Sequence, residues 1–356
     1  MTGMDPSENS FLRNSAIAEL LALAAEKAKM PLQKALRRAS RKAFLWPDEA
    51  SLLLEQGRSL TELPGVGPHL NRIIRGWIEA PSEISDPPEI RRSFLTLTEA
   101  RATLLNNSSW AAELKGDLQM HTQWSDGSGS IEEMARAASE RKYEYIAITD
   151  HSKGLKIAGG MDEEQLRMQG EEINRINSSL REENSSVSVL RSIEVNLNPQ
   201  GEGDMDRDFL KRLDLVLGCF HSALRKKDDQ THRYLAALRT PDIQILGHPR
   251  GRIYNFRLGL DADWAQVFDL ATELDKAVEI DAYPDRQDLS IDLLKLAKKS
   301  DCRISLGTDS HDPFQLRFME FALAAASIVG LKRERILNFM TKGELLNWAA
   351  SVRDRF

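Results

Sequence analysis

Cysteine is scarce in this chain of 356 residues, which contains only two, Cys219 and Cys302. Each lies within or beside an apolar run, and two cysteines cannot supply the disulfide framework of a small secreted domain. No thiolate-activating pattern surrounds either residue. The sequence therefore predicts two buried thiols in a protein of a reducing compartment.

Long hydrophobic runs and an excess of positive charge are also missing. No segment approaches the roughly 18 apolar residues of a membrane span, and the N-terminal MTGMDPSENSFLRNS lacks the apolar core of a signal peptide. The formal net charge is -6, which excludes a polycation that coats nucleic acid indiscriminately. We predict a soluble cytoplasmic protein without a membrane partner, in which any contact with nucleic acid is local.

The pattern of predicted secondary structure divides the chain into two parts. Residues 11–80 contain AIAELLALAAEKA and LQKALRRASRKAF, whose apolar positions recur at three- and four-residue spacing and predict helices. A connector over residues 80–107 is interrupted by prolines. From Glu113 onward, strand, turn and helix alternate, which is typical of a parallel α/β sheet or barrel. We predict a helical domain with its connector over residues 1–105 and an α/β domain over residues 112–356.

The helical domain contains one compact motif, LTELPGVGPHLNRIIRGWIE, over residues 60–79. Its Pro-Gly-Val-Gly core predicts a tight turn between two short helices, with the backbone N–H groups of Gly65 to His69 directed outward at a helix N-terminus. The motif resembles the helix-hairpin-helix element, which holds the DNA backbone without reading sequence. A purely structural helix turn is the alternative. The DNA contacts predicted in this motif are Gly65, Val66, Gly67 and His69.

A basic stretch precedes the hairpin motif. Between Lys27 and Lys42 the sequence has no acidic residue, so positive charge is concentrated within a domain of roughly balanced charge. A solvated basic face is the simplest explanation, but the neighbouring motif favours a small nucleic-acid-binding module. The further side chains predicted to contact DNA are Lys34, Arg37, Arg38 and Arg41.

Polar side chains in the α/β domain follow short apolar runs. YIAITDH ends in His151, LDLVLGCFH ends in His221, IQILGHP contains His248, and RISLGTDSH contains Asp309 and His311. In a parallel α/β barrel the C-terminal strand ends converge on one face, so residues distant in sequence can meet there. Imidazole and carboxylate ligands suit zinc, manganese or iron. The pattern predicts a metal site.

The segment KGDLQMHTQWSDGS adds further candidate ligands. Its alternation places Gln119 and His121 on the same face of a predicted strand, with Asp126 in the following loop. This segment resembles the start of the polymerase-and-histidinol-phosphatase (PHP) family, and YIAITDHS, IEVN, GCFHS, LGHPRGR, EIDAYPDRQDL and LGTDSHD follow in the family's order. The resemblance covers about residues 112–350. It implies a distorted (βα)7 barrel with metal-dependent phosphoesterase activity.

The resemblance also implies a trinuclear site that holds two or three divalent ions, Mn2+, Zn2+ or Fe2+. The implied catalytic residues are Glu194, Asp309 and His151. The implied metal ligands are Gln119, His121, Glu194 and Asp309 for one ion, Glu194, His221 and His248 for a second, and Asp126, His151 and His311 for a third.

Gln119 departs from the family pattern, which has histidine at this position. An amide oxygen is a harder and weaker donor than imidazole, so occupancy of the first site should fall and its preference should shift from zinc toward manganese or magnesium. A degenerate site in a non-catalytic DNA-binding protein is the alternative.

Positive side chains near the predicted strand ends are candidates for holding a substrate phosphate. Arginine offers planar bidentate donors that suit a phosphodiester. Pairing with a local carboxylate such as Asp285 or Asp288 is the alternative. The phosphate-binding candidates are Lys153, Arg250, Arg252 and Arg286.

The two predicted domains resemble the two ends of bacterial family X DNA polymerases, and the connector is too short for the polymerase palm between them. This resemblance implies a phosphoesterase that acts on DNA ends in repair, as a 3′→5′ exonuclease with 3′-phosphatase or abasic-site cleavage as further activities. The implied partners are DNA, through its backbone, and a separate polymerase or repair protein. A small-molecule phosphatase of the histidinol-phosphatase type remains an alternative.

Overall fold

A computed structural model describes residues 11–81 and 84–355. The chain forms two compact units, which divide between Ala102 and Thr103. Within the described ranges, no helix has the length and apolar character needed to cross a membrane.

The first unit is built from helices. α1 and α2 pack against each other, and Ile17, Leu21 and Leu36 are buried in its core. Trp46 is fully buried and donates its indole N–H to the Pro64 carbonyl at 3.1 Å, which fixes the turn before α4. The helices of this part of the chain are α1 (Asn14–Lys27), α2 (Leu32–Ala43), α3 (Ala50–Glu55), α4 (Pro68–Glu79) and α5 (Leu97–Leu105), which continues into the second unit.

The second unit contains a seven-stranded parallel sheet in which each strand pairs with its neighbours in chain order. Runs such as YIAI and LVLGCF are apolar at every position because both of their faces are buried. The strands are β1 (Gly116–Asp117), β2 (Tyr145–Ile148), β3 (Ser188–Leu197), β4 (Leu215–Phe220), β5 (Ile245–Leu246), β6 (Ala277–Asp281) and β7 (Arg303–Gly307).

Helices connect the strands, so the predicted α/β barrel with seven strands is confirmed. Reciprocal capping boxes start several of these helices; Ser130 and Glu133, for example, bond each other's backbone N–H groups at the start of α7. The helices are α6 (Ser108–Glu113), α7 (Ile131–Glu140), α8 (Glu163–Glu182), α9 (Arg207–Leu210), α10 (Thr231–Arg239), α11 (Trp264–Glu273), α12 (Ile291–Lys299), α13 (Met319–Val329) and α14 (Lys342–Arg353).

The barrel closes irregularly between β1 and β7. The Leu118 N–H donates to the Leu306 carbonyl at 3.3 Å, and the His121 N–H donates to the Ser310 carbonyl at 2.7 Å. The prediction that Gln119 and His121 lie on a strand is wrong, because β1 ends at Asp117. Backbone bonds to the loop after β7 nevertheless hold this segment beside the end of that strand.

Asn338 also links β1 to β7. Its side chain is fully buried and donates to the carbonyls of Gly116 and Leu306 at 2.9 and 2.8 Å, while its Oδ1 accepts the Leu306 N–H at 2.7 Å. The amide therefore replaces part of the missing ladder between β1 and β7.

Helix α14 covers the N-terminal end of the barrel. Its buried Leu345, Trp348 and Val352 join a cluster with the first residues of the strands, such as Tyr145 and Leu215. The indole of Trp348 also donates to the Asp275 carbonyl at 2.9 Å. Apolar side chains therefore fill the interior of the barrel at this end.

Replacing Asn338 with alanine should lower the free energy of unfolding by about 3 kcal/mol, because it leaves several buried backbone groups of β1 and β7 without partners. Urea unfolding followed by circular dichroism measures the change. The exposed Asn174→Ala on α8 is the control and should shift the midpoint little. Equal stability of the two variants would contradict the bracing role of Asn338.

Candidate metal centre

A buried carboxylate lies at the C-terminal mouth of the barrel. Glu194 of β3 is 1% exposed, and its Oε1 lies 2.8 Å from His221 Nε2 and 3.0 Å from His248 Nε2. The same oxygen lies 3.5 Å from His151 Nδ1. These contacts place the predicted second group of ligands around one carboxylate oxygen.

The other oxygen of Glu194 faces the predicted first group. Glu194 Oε2 lies 3.3 Å from His121 Nε2, which is also 3.0 Å from Asp309 Oδ1. Gln119 donates from Nε2 to Glu194 Oε2 at 2.8 Å. All four predicted members of this group therefore meet.

The predicted third group lies beside the first. Asp126 Oδ1 is 3.3 Å from His311 Nε2 and 3.6 Å from His151 Nε2. The rings of His121 and His151 stack with centroids 4.3 Å apart. The structure thus brings the proposed ligands together. Their His, Asp and Glu side chains form overlapping groups whose potential ligand atoms lie within 4.8 Å of one another, and Gln119 contacts Glu194 directly.

The donor set fits divalent cations. Imidazole nitrogens and carboxylate oxygens bind zinc, manganese and iron, and several donor atoms here are buried without a hydrogen-bond partner in the described structure: Gln119 Oε1, both ring nitrogens of His121 and His151 Nδ1. Cations would satisfy such atoms. Gln119 fits least well, because its N–H group rather than its oxygen faces Glu194; rotation of the amide would exchange the two.

Charged neighbours determine the pKa values of the buried groups in the centre. Burial alone would raise the pKa of Glu194, but His151 and His248 hold it well below its usual value. Burial would likewise raise the pKa of Asp309, which Arg286 and His121 instead lower. Burial lowers the pKa of His151 to about 3. The carboxylates are therefore ionised. Burial would lower the pKa of His121, but Asp309 and Glu194 raise it well above its usual value, so a bound cation would displace a proton from this ring.

Side chains outside the predicted set orient the ligands. Asn196 Oδ1 lies 3.1 Å from His221 Nδ1, which leaves Nε2 of that ring directed at Glu194. Glu279 accepts the His248 backbone N–H at 2.7 Å. The sequence signal for Asn196 was its position two residues after Glu194 on β3, where alternation places both side chains on one face.

Asp150 organises the loop that carries Asp126. Its carboxylate accepts from the Thr122 hydroxyl at 2.6 Å, the Ser125 hydroxyl at 2.5 Å and the Gln169 amide at 2.7 Å. Sequence reasoning missed this role, although Asp150 directly precedes His151. The bonds hold the loop after β1 against the end of β2.

The phosphate candidates occupy different environments. Arg286 lies at the centre, where it ion-pairs with Asp309 and approaches Asp281 at 3.6 Å. The Arg250 and Arg252 guanidinium groups donate to the carbonyls of Leu260 and Arg286 at 3.0 Å each. Lys153 pairs with Glu163 at 2.6 Å. The alternative of local carboxylate pairing thus describes Lys153, while Arg286 pairs with a proposed ligand.

Cys219 and Cys302 are both free and buried. Cys219 lies near Glu194 and His248, a proximity that sequence reasoning did not predict. Burial raises its pKa well above the usual value, with further contributions from Glu194 and Glu279. The residue is therefore a neutral thiol, the weaker form for binding metal.

The hairpin motif of the first unit contains the predicted tight turn, which lies between a short 3-10 helix and α4. A short 3-10 helix, Leu60–Glu62, precedes the turn, Gly65 has φ +83°, and Gly67 is the N-cap of α4. The prediction that every N–H from Gly65 to His69 points outward is wrong, because Val66 donates to the Leu63 carbonyl at 3.1 Å and proline at position 68 has no N–H. The basic candidates of α2, which are exposed, are Lys34, Arg37, Arg38 and Arg41.

Comparison with known proteins identifies the barrel. The PHP domain model matches residues 117–306. The chain belongs to the PHP domain family. The resemblance stated from the motifs is confirmed, and the barrel is a metal-dependent phosphoesterase domain.

The chain is similar to proteins whose names describe different activities. The chain is 34% identical over 253 residues to the DNA polymerase/3′-5′ exonuclease PolX of Bacillus subtilis, a match that covers 71% of this chain and only 43% of PolX. It is 27% identical to the probable phosphatase YcdX of Escherichia coli, covering 66% of this chain and 94% of YcdX. A crystal structure of Lactococcus lactis histidinol phosphate phosphatase with zinc, L-histidinol and phosphate aligns with a TM-score of 0.46 and 17% identity, over 61% of this chain and 94% of that chain.

Replacing Gln119 with histidine should increase the metal bound per chain by about one ion, because imidazole is the stronger ligand for zinc. Mass spectrometry of protein dialysed against limiting zinc measures the stoichiometry. The exposed Gln123→His, in the following loop, controls for the added histidine. Unchanged stoichiometry in the Gln119 variant would show that this position does not limit occupancy.

Replacing Asn196 with alanine should weaken metal binding by about 10- to 100-fold, the usual effect of losing a partner that orients a ligating histidine. Competition with a chromogenic chelator gives the affinity. The Asn174→Ala variant should retain the wild-type value, and an Asn196 variant with that same value would refute the orienting role.

Proposed function

We propose that the chain hydrolyses phosphodiester bonds at the 3′ ends of DNA in repair, with residues 112–356 as the phosphoesterase and residues 1–105 as a module that holds the DNA backbone. The observation that carries the phosphoesterase part is the convergence of histidines and carboxylates on Glu194. The DNA substrate is supported by the similarity to PolX and by the exposed basic face of α2 beside the hairpin turn.

Divalent cations held by the three groups of ligands would supply an activated water and clamp the phosphate oxygens. The ligand assignment is the one that the family resemblance implies, with Glu194 shared between ions. Arg286 is fixed beside Asp309, where its remaining guanidinium donors would bind a non-bridging phosphate oxygen. Arg250 lies on the adjacent loop and would extend this anion-binding surface, with Lys153 farther along the rim. Arg252 is buried and donates to the Arg286 carbonyl, so it would position the loop that carries Arg286.

The helical unit would bind the DNA backbone through the start of α4. Gly67 and His69 present N–H groups that have no acceptor within the described ranges, and such groups at a helix N-terminus bind phosphate. Open space surrounds Gly67, since a Cβ added there would meet no atom within 4 Å. A phosphate can therefore approach the backbone closely.

Asp309→Asn should abolish cleavage of a 5′-labelled oligonucleotide in manganese while leaving its binding within about twofold, because Asp309 is a ligand and the hairpin is unaltered. Gel analysis gives the products and fluorescence anisotropy gives the affinity. A ladder of shortened products from the wild type alone supports a 3′→5′ exonuclease. Turnover of p-nitrophenyl phosphate but not of DNA would favour a small-molecule phosphatase.

Gly67→Ala should weaken oligonucleotide binding several-fold without changing hydrolysis of bis(p-nitrophenyl) phosphate, because its methyl group would cover the donors at the start of α4. Gly76→Ala is a matched control on the same helix, where an added Cβ also meets no atom within 4 Å. Equal affinities of the two variants would exclude the hairpin from DNA binding.

A further inference from the structure

An aromatic ring is exposed on the catalytic face of the barrel. Phe256 lies in the loop after β5 and is 50% exposed, a large fraction for a phenylalanine. The guanidinium of Arg225, in the loop after β4, lies 4.5 Å from the centre of this ring. The two loops thus present a flat aromatic and cationic surface.

The loop that carries Phe256 is held in place. Ile253 and Arg257 exchange backbone hydrogen bonds of 2.8 and 3.0 Å, which close a tight turn around Phe256. The Tyr254 N–H donates to the Asp285 carbonyl at 2.7 Å, and Tyr254 is buried. These bonds tie the turn to the loop after β6, the loop that carries Arg286. Phe256 therefore lies in a hydrogen-bonded turn that is tied to the loop carrying Arg286.

Three arginines, Arg225, Arg257 and Arg286, lie near the Phe256 ring or in the metal centre. Within the described part of the chain, Arg225 and Arg257 have no carboxylate within ion-pair distance. Burial lowers the pKa of Arg257, and the charges of Arg286 and Arg225 lower it further, so Arg257 lies within electrostatic range of both of these groups. Arg286 ends the series at Asp309. Arg225 and Arg257 are adjacent cations without a carboxylate partner in the described structure, and such cations favour binding of a polyanion.

We propose that Phe256 and Arg225 form a stacking platform for an unpaired nucleobase, next to the end of the strand that enters the metal centre. This inference rests on the proposed function and deepens it, because it names the substrate as single-stranded or frayed polynucleotide. Bases stack on exposed aromatic rings and on arginine, while the neighbouring cations follow the backbone. A phosphomonoester without a base would not use this surface.

The direct test is the fluorescence of 2-aminopurine, which changes when the base stacks. Short single-stranded oligodeoxynucleotides carry it at one of the three 3′-terminal positions and are bound to the full-length protein in chelator, so that no cleavage occurs. One position should be quenched by the wild type and by Phe256→Trp but not by Phe256→Ala. The control Ile328→Ala removes an exposed apolar side chain of α13 and should quench as the wild type does.

Kinetics supply a second readout. With manganese, Phe256→Ala should raise KM for the oligonucleotide about tenfold, the order expected for loss of one base stack, and leave hydrolysis of bis(p-nitrophenyl) phosphate unchanged. An abasic residue at the quenched position should raise KM for the wild type by a similar factor and have no further effect on Phe256→Ala.

The results of these experiments distinguish failure of the stacking platform from failure of the proposed exonuclease function. Quenching that survives in Phe256→Ala, or that no position shows, overturns the platform even if DNA is cleaved. Position-specific quenching that depends on Phe256 supports the platform even if only the small diester is hydrolysed, in which case the exonuclease proposal alone fails.

Discussion

A carboxylate buried at the mouth of a barrel imposes the main constraint on this protein. Glu194 is ionised although it is almost completely shielded from water, and an isolated buried charge of this kind is very costly. His121, His151, His221 and His248 surround it at 2.8 to 3.5 Å. The side chains that stabilise the charge are the ones proposed to bind metal, so the stability of the mouth and its chemistry depend on the same contacts.

The two ends of the barrel differ in polarity, which allows one of them to hold this charge. Apolar side chains of α14 fill the N-terminal end, and polar residues collect where the strands finish. The backbone is strained where ligands are aimed: Asp309 has φ +50° and His248 has φ +22°, values that cost non-glycine residues about 1–3 kcal/mol each. Packing below and hydrogen bonds such as that from the His248 N–H to Glu279 keep these residues in place.

Much of the site was predictable because its ligands follow short apolar runs. Burial on both faces makes a parallel strand a continuous apolar segment, so the polar residue that ends it stands out, as His221 does after LVLGCF. The fold class followed from the same alternation of segments. Neither inference required knowledge of how the strands are registered.

Contacts that depend on the three-dimensional meeting of loops were not predictable. Asn338 lies 222 residues from Gly116, which it braces, and nothing in its local sequence signals that role. The pairing of Arg225 with Phe256 joins two loops in the same way. The length of β1 was overestimated because alternation continues past Asp117, whereas the ladder does not. The alternation of side chains predicts which face of a strand is buried. It does not predict which neighbouring segment the strand hydrogen-bonds to.

Metal stoichiometry of a Glu194→Gln variant tests the central claim most directly. If one carboxylate is shared by the groups around it, its neutralisation should remove at least two of the ions that the wild type binds, while circular dichroism shows an intact fold. Loss of a single ion, or of none, from a folded variant would contradict a centre organised around Glu194.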